Sequence, residues 1–210
     1  MRVPIDQKCL CMFLPNPRPL KLVKSSELNV IILQHSHESR EFKNTGGFIP
    51  ACLKNAHLIT GKKFAKGCNE KLKQACDDIE GTWVLYPSAS ALDIAELITK
   101  NLEETQHPLK GSLPLRNLIV IDGTWIYAKR LISRNHTLLK GMRYLCINPK
   151  HATRYRIRSE PNEKYLSTLE AVAFCISTIE DDQSIYDKMT LPLDGLVESF
   201  NSIVINNQTT

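Results

Sequence analysis

Residues 118–130 read LIVIDGTWIYAKR, and the order in which these residue types arrive decides the fold. Leu118 to Ile121 is an unbroken apolar run of strand formers, the pattern of a strand buried on both faces. Asp122 stands at the strand's carboxyl end, and Gly123 permits a tight turn. Thr124 is a candidate N-cap for a helix whose apolar positions run Trp125, Ala128, Leu131 and Ile132. In open α/β sheets ligands sit outside the carboxyl ends of the strands. An acid, a hydroxyl and an indole are therefore expected where ligands bind. The plainer alternative is a capped helix start, with Asp122 serving the cap and Trp125 in the core.

Outward from this stretch the alternation repeats. Residues 28–35, LNVIILQH, form a strand that runs into the polar HSHESREFKNTGG. FIPACLKNAHLI reads as a short helix, and the polar KKFAKGCNEKLKQACDD carries no firm assignment. TWVLYPS (82–88) is a short strand ending in Tyr86, Pro87 and Ser88. An amphipathic helix follows, with residues 91, 94, 95, 98 and 102 on one face. MRYLCIN (142–148) is a further strand, and STLEAVAFCISTIE (167–180) an apolar helix. Ser167 or Thr168 is its N-cap, and Glu170 lies in the first turn, where the helix dipole favours an anion. The last stretch, SIYDKMTLPLDGLVESFNSIVI, is helical with a break near Pro192. Strands alternating with helices imply an α/β fold with a mostly parallel sheet and helices on both faces. Residues 1–27 read as an irregular extension, and 28–205 as a single domain.

The chain has 210 residues, 42% of them hydrophobic and 23% charged, the balance of a globular protein. Its 27 Lys and Arg exceed its 22 Asp and Glu by five. The sequence pI of 8.8 falls below the value of about 9 that marks a dedicated nucleic-acid module. The excess is concentrated in NPKHATRYRIRSEPNEK, where Arg154, Arg156 and Arg158 are two apart and would share one face of an extended segment. Such a surface suits phosphates, with Tyr155 able to stack on a base; a solvated basic loop is the plainer reading. No segment approaches the roughly 18 apolar residues of a membrane span. Prolines and charges break up the first 19 residues, which make a poor signal peptide. The seven cysteines, odd in number and irregularly spaced, fit reduced thiols and a cytoplasmic location. The Asn-x-Thr tripeptides at Asn135 and Asn207 then carry no meaning as glycosylation sites. The usual dinucleotide, P-loop and zinc-protease motifs do not occur.

Taken in order, CLC, ILQH, NTG, YPS, LIVIDGTWIYAK, YRIR and STLEA resemble the DTW-domain family, defined by Asp-x-Thr-Trp, here Asp122, Thr124 and Trp125. The likeness runs from about Cys9 to about Ser177, most of the chain. It implies a tRNA-uridine aminocarboxypropyltransferase. Such an enzyme moves the 3-amino-3-carboxypropyl group of S-adenosylmethionine onto N3 of a uridine and releases methylthioadenosine. It also implies a SPOUT-like sheet whose C-terminal part is tied in a trefoil knot, which pattern reading alone would not propose.

Under that likeness each residue type has a task. Uridine N3 is a poor nucleophile until its proton leaves, and Asp122, partly buried at a strand end, is the candidate general base. Trp125 could pack on the adenine or face the sulfonium, and Thr124 completes the motif. Tyr86, Pro87, Ser88, Ser167, Thr168 and Glu170 are the candidate cofactor-binding residues, Ser167 and Thr168 through a helix N-terminus that favours the carboxylate of the transferred group. Glu170 would hold its ammonium, or simply complement the dipole. Arg154, Arg156 and Arg158, with Lys129 and Arg130 on the helix after the motif, are the candidate tRNA contacts.

Two positions depart from the pattern. Many relatives carry a second Cys pair upstream of Cys9 and Cys11, which this sequence lacks. A structural zinc needs about four ligands. Cys52, His35 or His37 would have to complete the set, so buried thiols are preferred to a metal. Gly47 stands where a basic residue is expected. Two rivals remain: a SPOUT-type RNA methyltransferase using the same cofactor, and an inactive RNA-binding module.

Overall fold

The computed structural model describes residues 10–41, 43–105, 115–148, 153 and 166–208, with the side chains of 10, 101–105 and 200–208 left aside. Six strands form one all-parallel sheet: β1 (Asn29–His35), β2 (Ala56–Gly61), β3 (Thr82–Leu85), β4 (Leu92–Asp93), β5 (Asn117–Asp122) and β6 (Arg143–Cys146). Their order is β2-β1-β5-β3-β6-β4. The helices among the described residues are α1 (Ile49–Cys52), α2 (Glu70–Asp77), α3 (Ile94–Thr105), α4 (Trp125–Arg134), α5 (Thr168–Glu180) and α6 (Gln183–Gln208).

The central strand β5 is buried at every position, as its unbroken apolar run requires. Strand pleating sends alternate residues to opposite faces, and two cores result. Val30, Ile32, Leu118, Val120, Trp83 and Leu85 pack with α1, α3, α5 and α6. Ile31, Leu33, Ile119, Ile121 and Val84 pack with α2 and α4. The parity carries through to the strand ends. Asp122 and Gln34 fall on the α5 side, whereas His35 falls on the α4 side.

Two expectations need correction. FIPACLKNAHLI is helical only over Ile49–Cys52; the remainder supplies the edge strand β2. Its half-buried alternation is that of a strand with one partner, which a short apolar run does not distinguish from a helix. The helix α6 runs through Pro192 without a break, because Met189, Leu193 and Leu196 are held in the core on both sides of it. The arginine segment, Arg154, Arg156 and Arg158, lies outside the described residues, as does Cys9. So does most of the path between β6 and α5, residues 149–152 and 154–165, on which a knot would depend.

The N-terminal segment is fastened to the larger core. Leu14, Leu20 and Leu22 pack against it. The Glu180 carboxylate at the end of α5 accepts from the Val23, Lys24 and Ser25 N–H groups (3.0, 3.1 and 2.6 Å) and the Ser25 hydroxyl (2.5 Å). Burial alone would raise the Glu180 carboxyl, but these donors outweigh it and hold it below its ordinary value. The folded chain then binds fewer protons than the unfolded one between the two values. The clamp's contribution is complete above the ordinary carboxylate range and is lost as pH falls through the folded value. Glu180→Gln is expected to show a smaller drop in urea midpoint than the parent between about pH 6 and pH 3.

Asn135 closes α4 from within. Its side chain accepts from the Phe64 N–H (2.8 Å) and donates to the Leu131 and Lys62 carbonyls (2.7 and 3.3 Å). It is buried and fully used, so the Asn-x-Thr tripeptide there is a structural cap. Asn135→Ala leaves the buried Phe64 N–H without an acceptor and is expected to cost about 2 kcal/mol. In thermal unfolding that is a fall of roughly 4–8 °C in Tm.

Candidate active site at the carboxyl edge of the sheet

β1 and β5 pair in a register that sets Gln34 beside Asp122. Gln34 donates its amide N–H to Asp122 Oδ2 at 2.9 Å, and Asn44 donates to the same oxygen at 3.1 Å. Thr168, the first residue of α5, donates its hydroxyl to Oδ1 at 2.6 Å. Both amides are fixed in orientation, because Gln34 Oε1 accepts from the Thr60 hydroxyl and Asn44 Oδ1 from the Gly47 N–H. Asp122 is thus 3% exposed among neutral donors drawn from β1, the loop after it and α5. Burial pushes its carboxyl above the usual carboxylate range. Thr168, Gln34 and Asn44 oppose that shift, and the nearby Glu38 carboxylate adds to it.

Asp122 does not cap α4. That task belongs to Thr124, whose hydroxyl accepts from the Tyr127 N–H, while Glu38 Oε1 accepts from the Thr124 N–H at 3.0 Å. The turn GTW is thereby pinned from β1's side by a carboxylate that is itself buried. Trp125 is half-buried rather than in either core, and its ring lies tilted against Tyr86 at 6.1 Å. Sequence reading had placed both rings at strand ends; the structure brings them together.

At the start of α5, Ser167 is the N-cap and forms a capping box with Glu170. Glu170 is fully buried and also accepts from the Thr153 hydroxyl at 2.8 and 3.0 Å. Its carboxylate thus accepts from the Ser167 N–H and the Thr153 hydroxyl. Pro87 is exposed, and the Ser88 and Ser90 hydroxyls lie 3.3 Å apart.

On the other face of the same edge, the buried His35 ring stacks on Tyr127 at 4.3 Å, and Tyr127 also stacks on His37 at 5.1 Å. Burial lowers His35, with Lys62, His37 and Arg134 pushing the same way and Glu38 opposing. A neutral imidazole fits its geometry, since its Nδ1 accepts from the His37 N–H. Gln34, Glu38 and His35 were missed as site residues because their meaning lies in cross-strand register. The one visible cue was a Gln-His pair closing an otherwise apolar strand.

Among the described residues no group of three or more His, Cys, Asp or Glu could hold a metal. Burial pushes the Cys52 and Cys175 thiols up to about 12, and such thiols stay protonated. Cys11 is exposed. A pocket of 340 Å³ lies at the opposite, amino edge of the sheet, between Pro19–Val30 and Leu53–Asn55. Its lining mixes aliphatic residues with Lys21, Ser25, Ser26, Glu27, Lys54 and Asn55, and includes none of Asp122, Thr124 and Trp125.

Comparison with known proteins places the chain among relatives of one kind. The chain is 30% identical over 190 residues to tRNA-uridine aminocarboxypropyltransferase 2 of Mus musculus, covering 90% of this chain and 58% of that protein. The Drosophila melanogaster protein of the same name is 28% identical over 192 residues, covering 90% of this chain and 68% of its own. tRNA-uridine aminocarboxypropyltransferase A of Arabidopsis thaliana is 28% identical, covering 83% and 69%. The chain thus spans a little over half the length of the mouse relative. No solved structure gives a significant match. The DTW domain family matches residues 4–201, nearly the whole chain, and the protein belongs to that family.

Proposed function

We propose that the protein transfers the 3-amino-3-carboxypropyl group of S-adenosylmethionine to N3 of a uridine in tRNA. The N3–H proton leaves, an N3–carbon bond forms, the carbon–sulfur bond breaks, and the sulfur departs in neutral methylthioadenosine. The observation that carries the reading is Asp122. It is a buried carboxyl with raised proton affinity, at the carboxyl end of the central strand and in a chain of this family. Three neutral donors leave it one further acceptor position of the roughly four a carboxylate offers. It is suited to take the N3 proton as general base.

The residues present fit the cofactor by their chemistry. The Tyr86 and Trp125 rings offer flat apolar surface for an adenine or a sulfonium, and Ser88 and Thr168 offer hydroxyls for the amino-acid end. When bound, S-adenosylmethionine supplies a sulfonium whose propyl carbon is electrophilic. The chain's task is then orientation, bringing N3 in line with that carbon and turning the methyl away. Lys129 and Arg130 are exposed on α4 and suited to phosphates; Arg154, Arg156 and Arg158 belong to the same proposal. The trefoil knot does too, supported by a strand order in which β5 and β6 each enter between strands formed earlier in the chain. Incubation with S-adenosylmethionine and unmodified tRNA, followed by nucleoside mass spectrometry, is the test. An aminocarboxypropyl-uridine with methylthioadenosine released is expected. A methylated nucleoside would assign the protein to methyl transfer instead.

A further inference from the structure

The outer face of α4 is chemically one-sided. Positions 126, 129, 130, 133 and 134 are all exposed and share one helical face. They carry Lys129, Arg130 and Arg134, and the whole helix, WIYAKRLISR, has no acid. Lys62, at the end of β2, is tied to the end of α4 through the Asn135 side chain on its carbonyl. Lys62 and Arg134 both act electrostatically on His35, so the two cations converge on one ring stack. None of these four cations stands in an ion pair among the described residues. Such a cluster is unfavourable to the free protein and favourable to a polyanion.

Beside the cations lies an ordered set of rings. Tyr127 is held against buried His35, has His37 stacked on it, and carries the Arg130 guanidinium 5.8 Å from its centroid. The His37 side chain is 59% exposed, with Glu41 3.4 Å away. A ring already fixed by its neighbours can receive another flat ring with little ordering cost.

Resting on the tRNA reading above, we propose that this face is a platform for a single-stranded stretch of the RNA. An unpaired base stacks on the His37–Tyr127 rings, and Lys62, Lys129, Arg130 and Arg134 follow its phosphates. Cations alone would suit any acidic partner, and the rings select one with exposed flat bases, which duplex RNA does not offer.

Fluorescence anisotropy of the full chain with a labelled, unmodified tRNA transcript tests this. The triple variant Lys129→Ala, Arg130→Ala, Arg134→Ala is expected to bind about 10–100-fold more weakly at ~0.1 M salt. Its log–log salt slope should be shallower by about two units. His37→Ala, a truncation at an exposed site, is expected to weaken binding about 5–30-fold with the slope unchanged, since stacking releases no counterions. Calorimetry should give both variants the parent's affinity for S-adenosylmethionine. If the parent binds tRNA and both variants match it in affinity and slope, the platform is wrong while the proposed reaction stands. A parent that neither binds nor modifies tRNA would overturn both. Displacement of the tRNA by poly-glutamate as readily as by poly-uridine would reassign the face to an acidic protein partner.

Discussion

Asp122→Asn is expected to lower the rate of aminocarboxypropyl transfer by about 10²–10⁴-fold, the range lost with a general base, while leaving the fold intact. The geometry makes this substitution unusually clean. Gln34 and Asn44 both donate to Oδ2, so an amide oxygen placed there keeps both bonds. The amide nitrogen then takes the place of Oδ1 and faces the Thr168 hydroxyl, which can turn from donor to acceptor. Stability should change by no more than about 1 kcal/mol, and tRNA and S-adenosylmethionine should still bind. Single-turnover rates with tRNA saturating, alongside thermal unfolding, are the measurement. An Asn variant that transfers at the parent's rate would show that Asp122 only joins β1, β5 and α5 together.

Gly46→Ala is the second substitution with a large effect. A Cβ at this position would lie 2.5 Å from Asp122 Oδ2, 2.7 Å from Cγ and 3.0 Å from Oδ1. The carboxyl cannot retreat, because three donors from three elements hold it. A loss of about 3 kcal/mol is expected, near the top of the range for overpacking, with transfer activity falling along with it. A double-mutant cycle isolates the cause. In an Asp122→Ala background the clashing atoms are gone, so Gly46→Ala should cost well under half as much. Equal costs in the two backgrounds would place the strain in the backbone of the NTGG turn.

These two residues also mark where sequence reading succeeds and stops. The apolar run from Leu118 to Ile121 dictated a strand buried on both faces, and residue type pointed to a cap at Thr124 and another at Ser167 or Thr168, of which Ser167 is the one used. Asp122 was legible as a strand-end acid because its signal is local. Its partners were not. Gln34 is 88 residues away in the chain and Thr168 is 46; only the strand register and the docking of α5 bring them to the carboxyl group. Asn44 and Gly46 were visible as part of NTG, though without a physical reason. Edge elements were read least well. β2 alternates only partly because one of its sides has no strand, and β4 is two residues long and runs directly into α3. For Trp125 residue type left two readings, a ligand contact or the core, and the helix start holds it half-buried beside Tyr86, in neither core.

The position of β5 has a consequence for synthesis. It lies between β1 and β3, yet it is made after both of them. Until residues 117–122 leave the ribosome, β1 has only β2 beside it, and β3 has no neighbour in the final order. One edge of β1 and both edges of β3 then face solvent with their hydrogen-bonding groups unmatched, the condition that invites pairing with other chains. The nascent N-terminal half is therefore the protein's most aggregation-prone form. A ribosome-stalled chain ending before Asn117 should engage holding chaperones, and release from them should follow emergence of the segment that ends in Asp122.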